Sequence, residues 1–302
     1  MDQKTKNRII KEIIRRVILN TKESHRLVVQ EVLDEEFINF CISFFKRIVS
    51  KKLSNEVIDV DWYKKEFLSE DLDKVDIATN AGLNMKSINN AYNTTAKEMV
   101  VEASLDHYES FCNTIEQLIK TGGNIEIKLT IKFNKVSVEL NVSESLIVIN
   151  ALAVKRSAIA GGLWSFSGKN AEKPLVTALC KLYDVSQKYY SEVGAASKRE
   201  IDFYIKSPDG AEHKTEVKLM GRGNPESADV IHARDTEVFI GDRLSDLNKT
   251  QFNEANVQWV ALNDKGGYKR FKTVLDYYKI PHCDDPINVS DKLELILDEM
   301  FD

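Results

Sequence analysis

Residues 200–220, Glu-Ile-Asp-Phe-Tyr-Ile-Lys-Ser-Pro-Asp-Gly-Ala-Glu-His-Lys-Thr-Glu-Val-Lys-Leu-Met, constrain the chain more than any other stretch. Ile201, Phe203 and Ile205 alternate with polar residues, as do Thr215, Val217 and Leu219, and Pro208-Asp209-Gly210 between the two runs is turn chemistry. The pattern predicts a β-hairpin. With those three residues as the loop and Gly210 in the left-handed position of a bulged turn, Ser207 faces Ala211, and counting onward sets Asp202 opposite Glu216.

Two carboxylates directly opposite on one sheet face, with Cβ atoms roughly 4.5 to 5.5 Å apart, repel unless something positive lies between them. A divalent cation satisfies them, and Lys218, two residues beyond Glu216 on the same face, reaches the same spot. Carboxylate oxygens suit Mg²⁺, and a neighbouring Lys polarises a water or a phosphoryl oxygen, which is a setting for phosphodiester hydrolysis. The plainer alternative is a hairpin whose charges alternate because one face is solvated.

Asp202, then Glu216 and Lys218 on the next strand, resemble the core motif of the PD-(D/E)XK nucleases, with Ile201 standing where that motif often has Pro. The resemblance implies a fourth site residue, a Glu on the helix before the hairpin. Glu172 fits it, in the first turn of a helix expected to run from about Ala171 to Tyr183. A Glu there is also favoured by the helix dipole, so it has a structural explanation as well; Glu192 and Glu200 are the fallbacks. The run from Lys218 to Glu226 and the segment from Asn80 to Tyr92 resemble the CfrBI-type restriction endonucleases, over about residues 60 to 265. That resemblance implies a Mg²⁺-dependent type II enzyme of a restriction-modification system, acting as a homodimer on double-stranded DNA at a short palindrome of the CCWWGG kind.

At 302 residues the chain can build one large domain or two, each with its own core. A net charge of −5 gives no general attraction to a polyanion, although residues 1–52 carry 12 Lys and Arg against 7 Asp and Glu. Cys41, Cys112, Cys180 and Cys283 show neither C-x-x-C nor metal-ligand spacing and are expected as free packing thiols of a reducing cytoplasm. No apolar signal core follows the N-terminus, and Phe37–Phe45, which reads as the most apolar stretch, is far too short to span a bilayer. The expectation is a cytoplasmic prokaryotic protein with no membrane partner.

Residues 5–20 put Ile9, Ile10, Ile13, Ile14, Val17 and Ile18 on one face of a helix. Roughly Val29–Lys51 is a second helix with a wide apolar surface, the core of a helical domain or a dimer interface. In 71–105, Ala78, Gly82 and Ile88 take the positions a helix-turn-helix uses for its contact, its turn and its packing residue. The helix after the turn offers Lys86, Ser87, Asn89, Asn90 and Asn93, side chains that suit phosphates and base edges. After Gly122-Gly123 the period changes to 2, predicting a hairpin within 124–142 turned at Asn134-Lys135. A helix or short strand through Leu152 then leads to a joint at Gly161-Gly162.

From Gly168 onward the expected order is α-β-β-β-α-β, then closing helices near Lys269–Tyr278 and Asp291–Met300. The fold class is therefore α+β or α/β: a mixed sheet flanked by helices, of the restriction-endonuclease-like kind, behind a mainly helical N-terminal domain. The expected domains are 1–120 and 121–302. Arg222, Asn224 and Arg234 lie just beyond the active strand, where they meet DNA or simply form a turn, and His213 reads as a turn residue rather than a base. The expected activity is sequence-specific cleavage of double-stranded DNA. Mg²⁺ would be held by Asp202, Glu216 and Glu172, and Lys218 would orient the attacking water. The rivals are a repair or modification-dependent nuclease of the same fold and a non-catalytic helix-turn-helix regulator.

Overall fold

The computed structural model describes residues 2–21, 25–121, 127–133, 135–192, 203–219, 231 and 235–301. The chain forms two compact units, residues 32–162 and residues 1–31 together with 163–302.

The unit of residues 32–162 is mainly helical. Most of α2 (His25–Leu53), α3 (Val60–Phe67), α4 (Lys74–Asn80), α5 (Met85–Tyr92) and α6 (Lys97–Thr121) precede an antiparallel pair, β1 (Leu129–Phe133) and β2 (Val136–Leu140). Phe133 pairs with Val136 and Leu129 with Leu140, the register expected for a two-residue turn. Its core is aromatic: Phe44, Trp62, Tyr63, Phe67 and Tyr108 are buried together, with Tyr63 stacked on Tyr108 at 4.5 Å. Asp59, Asp73 and Asn84 cap α3, α4 and α5 by accepting backbone N–H groups of their first turns, as short polar side chains do at that position.

The other unit holds a five-stranded mixed sheet in the order β3 (Tyr190–Ser191), β4 (Phe203–Lys206), β5 (Glu212–Lys218), β6 (Val238–Gly241), β7 (Gln258–Ala261). β3, β4 and β5 are antiparallel neighbours, whereas β5, β6 and β7 are parallel. Helix α8 (Asp246–Glu254) joins β6 to β7, and α9 (Arg270–Tyr277) and α10 (Val289–Phe301) follow. The expected hairpin register holds: Phe203 pairs with Thr215, Ile205 with His213, and Ser207 N–H donates to the Ala211 carbonyl at 3.0 Å. Gly210 has φ +90°, the left-handed conformation that a side chain resists. Asp209 braces the turn by accepting from Ala211 N–H. Hydrogen bonds from Ser207 Oγ and then Ala211 N hold its carboxyl below the ordinary Asp range.

Two expectations differ from this structure. Helix α1 (Gln3–Leu19) buries the six aliphatic residues named above, but in the unit with the large sheet: Lys11 pairs with Asp298 and Glu294 of α10, and Asn7 bonds the Phe301 carbonyl. The β1–β2 hairpin belongs to the helical unit, so the compact units do not follow a boundary at residue 120. The partner of an amphipathic face can lie anywhere along the chain, and here it is nearly 290 residues away.

The second difference concerns the region from Ser143 to Tyr183. It is one helix, α7 (Val142–Leu182), running straight through Gly161-Gly162, Gly168 and Pro174. Gly costs about 1 and Pro about 3 kcal/mol in a helix interior. Ala171, Leu175, Val176, Ala178 and Leu179, all fully buried, outweigh that. By length and composition alone α7 is long and apolar enough to cross a membrane, unlike Phe37–Phe45; 22% of its apolar 18-residue stretch is buried, and Ile147, Val148 and Ala151 near one end and Ala171, Leu175, Val176, Ala178 and Leu179 near the other lie in protein cores.

Candidate active site

Strand β5 carries the candidate residues at its carboxyl end, the end of a parallel strand where α/β sheets place their ligand crevices. Glu216 is 0% exposed. This excludes the solvated-face account of its charge, because burying a carboxylate is costly unless something charged or polar repays it. Lys218 sits two residues on, with Nζ 3.7 Å from Glu216 Oε2. The same Nζ lies 3.9 Å from Glu172 Oε1 on α7. Three of the four expected catalytic side chains therefore meet at one point. Glu172 stands in the interior of α7, not in a first turn, so the dipole explanation for its presence falls away.

The neighbouring strand leaves room there. Glu216 pairs with Phe239 and Lys218 with Gly241, so Gly241 sets no side chain next to the ammonium. A Cβ at Gly241 would lie 3.0 Å from the Phe239 ring, which is itself stacked on Phe252 of α8 at 5.1 Å. Phe239 is thus the cross-strand neighbour of Glu216, while Lys218 keeps 41% of its side chain accessible. Asp242, which sequence reasoning passed over, follows β6 directly; it is 6% exposed, and its N–H donates to the Lys218 carbonyl at 3.3 Å.

Asp202, Glu200, Arg222, Asn224 and Arg234 lie outside the described residues. Glu192, a fallback for Glu172, is exposed and follows β3. Among the described residues no three His, Cys, Asp or Glu side chains converge on one point. Glu172 and Glu216 do converge, on Lys218, and their oxygen-only donor set fits a hard cation such as Mg²⁺ rather than a thiolate- or imidazole-seeking metal.

His213 corrects an expectation. It belongs to β5, opposite Ile205, because the turn already closes between Ser207 and Ala211. Its Nδ1 is 2.7 Å from Glu237 Oε2, its Nε2 is 3.1 Å from Ser207 Oγ, and its ring stacks on Tyr278 at 3.8 Å. The contacts tie the hairpin to the entry of β6. Burial, with help from the Glu237 charge, pushes the Tyr278 phenol up. Nothing in the spacing of these residues announces the cluster, since Glu237 and Tyr278 are remote in sequence.

In the helical unit, α4 and α5 are joined by a tight turn. Gly82 has φ +88° and donates to the Thr79 carbonyl, and Leu83 donates to that of Ala78, two bonds that together close a Schellman motif. Ala78 and Ile88 are buried, as expected for the contact and packing positions. Lys86, Ser87, Asn89, Asn90 and Asn93 are all exposed, so α5 presents an uninterrupted polar face. Asn93 has a structural role too, ending α5 at φ 53° in the left-handed conformation that Asn tolerates.

A family model described as CfrBI restriction endonuclease matches residues 7–249. The chain belongs to this family. No curated protein and no solved structure matches it. Membership makes the protein a restriction endonuclease, a nuclease whose substrate is DNA. The span matched to the CfrBI family runs from α1 into α8 and takes in Glu172, Asp202, Glu216 and Lys218, as well as the α4–α5 pair.

Proposed function

We propose that this CfrBI-family protein is a Mg²⁺-dependent type II enzyme that hydrolyses both strands of double-stranded DNA at a short palindromic site. The observation that carries the reading is the fully buried Glu216, with the partly buried Glu172 and the accessible Lys218 gathered at the carboxyl end of β5. A site-specific nuclease of PD-(D/E)XK type needs this donor set. Glu216, Glu172 and Asp202 would hold the cation, which when bound supplies positive charge against phosphoryl oxygens and acidifies water.

The remaining work falls to the chain's own groups. Lys218 Nζ orients the attacking water by hydrogen bonding and stabilises charge that develops on the phosphoryl oxygens in the transition state. The complete burial of the Glu216 carboxylate keeps it out of water, so it has little solvent to reorganise during reaction. Helix α5, through Lys86, Ser87, Asn89, Asn90 and Asn93, acts as the second helix of a helix-turn-helix. Lys86 would meet phosphates and the Asn side chains base edges, while Arg222 and Asn224 add contacts beyond the active strand. A palindromic site calls for a two-fold homodimer with one active site per strand, working in a prokaryotic cytoplasm.

The test is cleavage of unmethylated phage DNA by purified protein, with Mg²⁺ or with EDTA, alongside Asp202→Ala. Discrete fragments that need Mg²⁺ and vanish in the variant are the expected result. A smear would refute site specificity. Cleavage confined to modified or damaged DNA would favour a repair or modification-dependent enzyme, and intact DNA throughout would leave a DNA-binding regulator.

A further inference from the structure

Gly168 lies one helical turn before Glu172 on α7, so the two share a face of the helix. It is buried, and a Cβ built on it would stand 3.3 Å from the backbone carbonyl oxygen of Leu219. Leu219 is the residue directly after Lys218. The end of β5 thus passes against α7 at a point where the helix surface has no side chain, and one turn further on Glu172 comes within 3.9 Å of Lys218 Nζ. A contact of 3.3 Å between a Cβ and a rigid carbonyl is tighter than ordinary packing, so any side chain at 168 must move the strand end away from the helix by a few tenths of an ångström. Gly161 and Gly162 of the same helix show the contrast, with nothing within 4 Å of where their Cβ atoms would be.

We propose that Gly168 is a positioning residue of the nuclease site: its missing side chain sets the gap between α7 and β5 that lets Glu172 act together with Glu216 and Lys218. The proposal rests on the metal-nuclease reading above. It also accounts for a glycine, a poor helix former, at a buried position in the interior of α7.

The experiment compares Gly168→Ala with Gly161→Ala, and uses Glu216→Gln as an inactive reference. Three quantities are read: the melting temperature, Mn²⁺ binding by calorimetry, and single-turnover cleavage at fixed Mg²⁺. Alanine favours a helix over glycine at both positions, which at 168 offsets the cost of shifting the strand end, so neither variant should melt clearly below the wild type. Gly168→Ala is expected to bind Mn²⁺ about tenfold more weakly and to cleave about tenfold more slowly, as small misplacements of reacting groups do. The DNA concentration giving half-maximal rate should not change, and Gly161→Ala should match the wild type throughout. Wild-type Mn²⁺ binding and rate in Gly168→Ala would overturn the inference alone. So would a lowered melting temperature or a failure to fold, because the glycine would then serve the core. Wild-type protein that neither cleaves DNA nor binds Mn²⁺ would instead overturn the nuclease reading, and this inference with it.

Discussion

Replacing Glu216 with Gln should stabilise the metal-free protein while abolishing its response to metal. In the wild type the Glu216 carboxylate is fully buried with Lys218 Nζ 3.7 Å away. At an effective dielectric of about 20 that attraction is worth about 4.5 kcal/mol, and less once the 41% exposure of Lys218 is allowed for. Against it stand a desolvation cost of about 3 kcal/mol and repulsion from Glu172. Both carboxylates approach the same ammonium, at 3.7 and 3.9 Å, so they lie no more than about 7.6 Å apart and repel by at least about 2 kcal/mol. Removing the charge while keeping the shape therefore yields a net gain of about 1 kcal/mol, or about 2 °C in Tm. Metal reverses the order: Mg²⁺ at about 100 times its Kd adds about 2.7 kcal/mol to the wild type and nothing to a variant that does not bind it. Melting curves of both proteins with EDTA and with Mg²⁺ should cross in this way. A Glu216→Gln protein that melts well below the wild type in EDTA, or gains as much as the wild type from Mg²⁺, would refute the reasoning.

Other consequences can be measured separately. Gly210→Ala places a side chain at φ +90° with nothing within 4 Å to receive it, so its cost is purely conformational, about 1 to 2 kcal/mol. Urea unfolding should show that loss with an unchanged slope. Glu144 is 1% exposed; burial raises its pKa, but hydrogen bonds from Lys52, Asn141 N and Ile58 N together outweigh this and hold it below the ordinary 4.5. A depressed carboxyl contributes stability that is present above its unfolded value and is lost as pH falls through the folded one. Urea midpoints followed downward from about pH 7 should therefore fall below about pH 4.5 more steeply in the wild type than in Glu144→Gln, which should already be about 2 kcal/mol weaker at neutral pH. Parallel curves would discount the carboxylate. Asn90→Ala, on the exposed face of α5, should leave folding within about 0.5 kcal/mol of wild type and cost about 1 to 3 kcal/mol in binding the cognate site when Ca²⁺ replaces Mg²⁺. An unaltered ratio of cognate to non-cognate binding would remove α5 from base reading.

The hairpin shows how far local chemistry reaches. Its register, its bulged turn and the left-handed Gly210 follow from short-range rules, and the structure reproduces each of them among the described residues. The same holds for α1's buried face, the turn at Gly82 and the β1–β2 pairing, where period and punctuation agree. Helix α7 shows where such rules give out. Gly161-Gly162 reads as a joint and Gly168 as the point where a new helix opens, and these glycines and Pro174 carry a real local penalty, but the burial that overrides it comes from other parts of the chain.

By itself the sequence determined the period of most elements, the pairing of β4 with β5, and the residue types of the candidate site, because all of these depend on neighbours within a few positions. Tertiary structure decided that Glu172 belongs to the interior of one long helix, that Glu216 is buried rather than solvated, and that Lys218 stands between them. It also decided that α1 packs in the same unit as the sheet and that Gly168 meets the end of β5. The physical reason is that burial and close approach are properties of distant segments brought together, and a carboxylate's chemistry depends on its dielectric surroundings and its partners rather than on its neighbours in the chain.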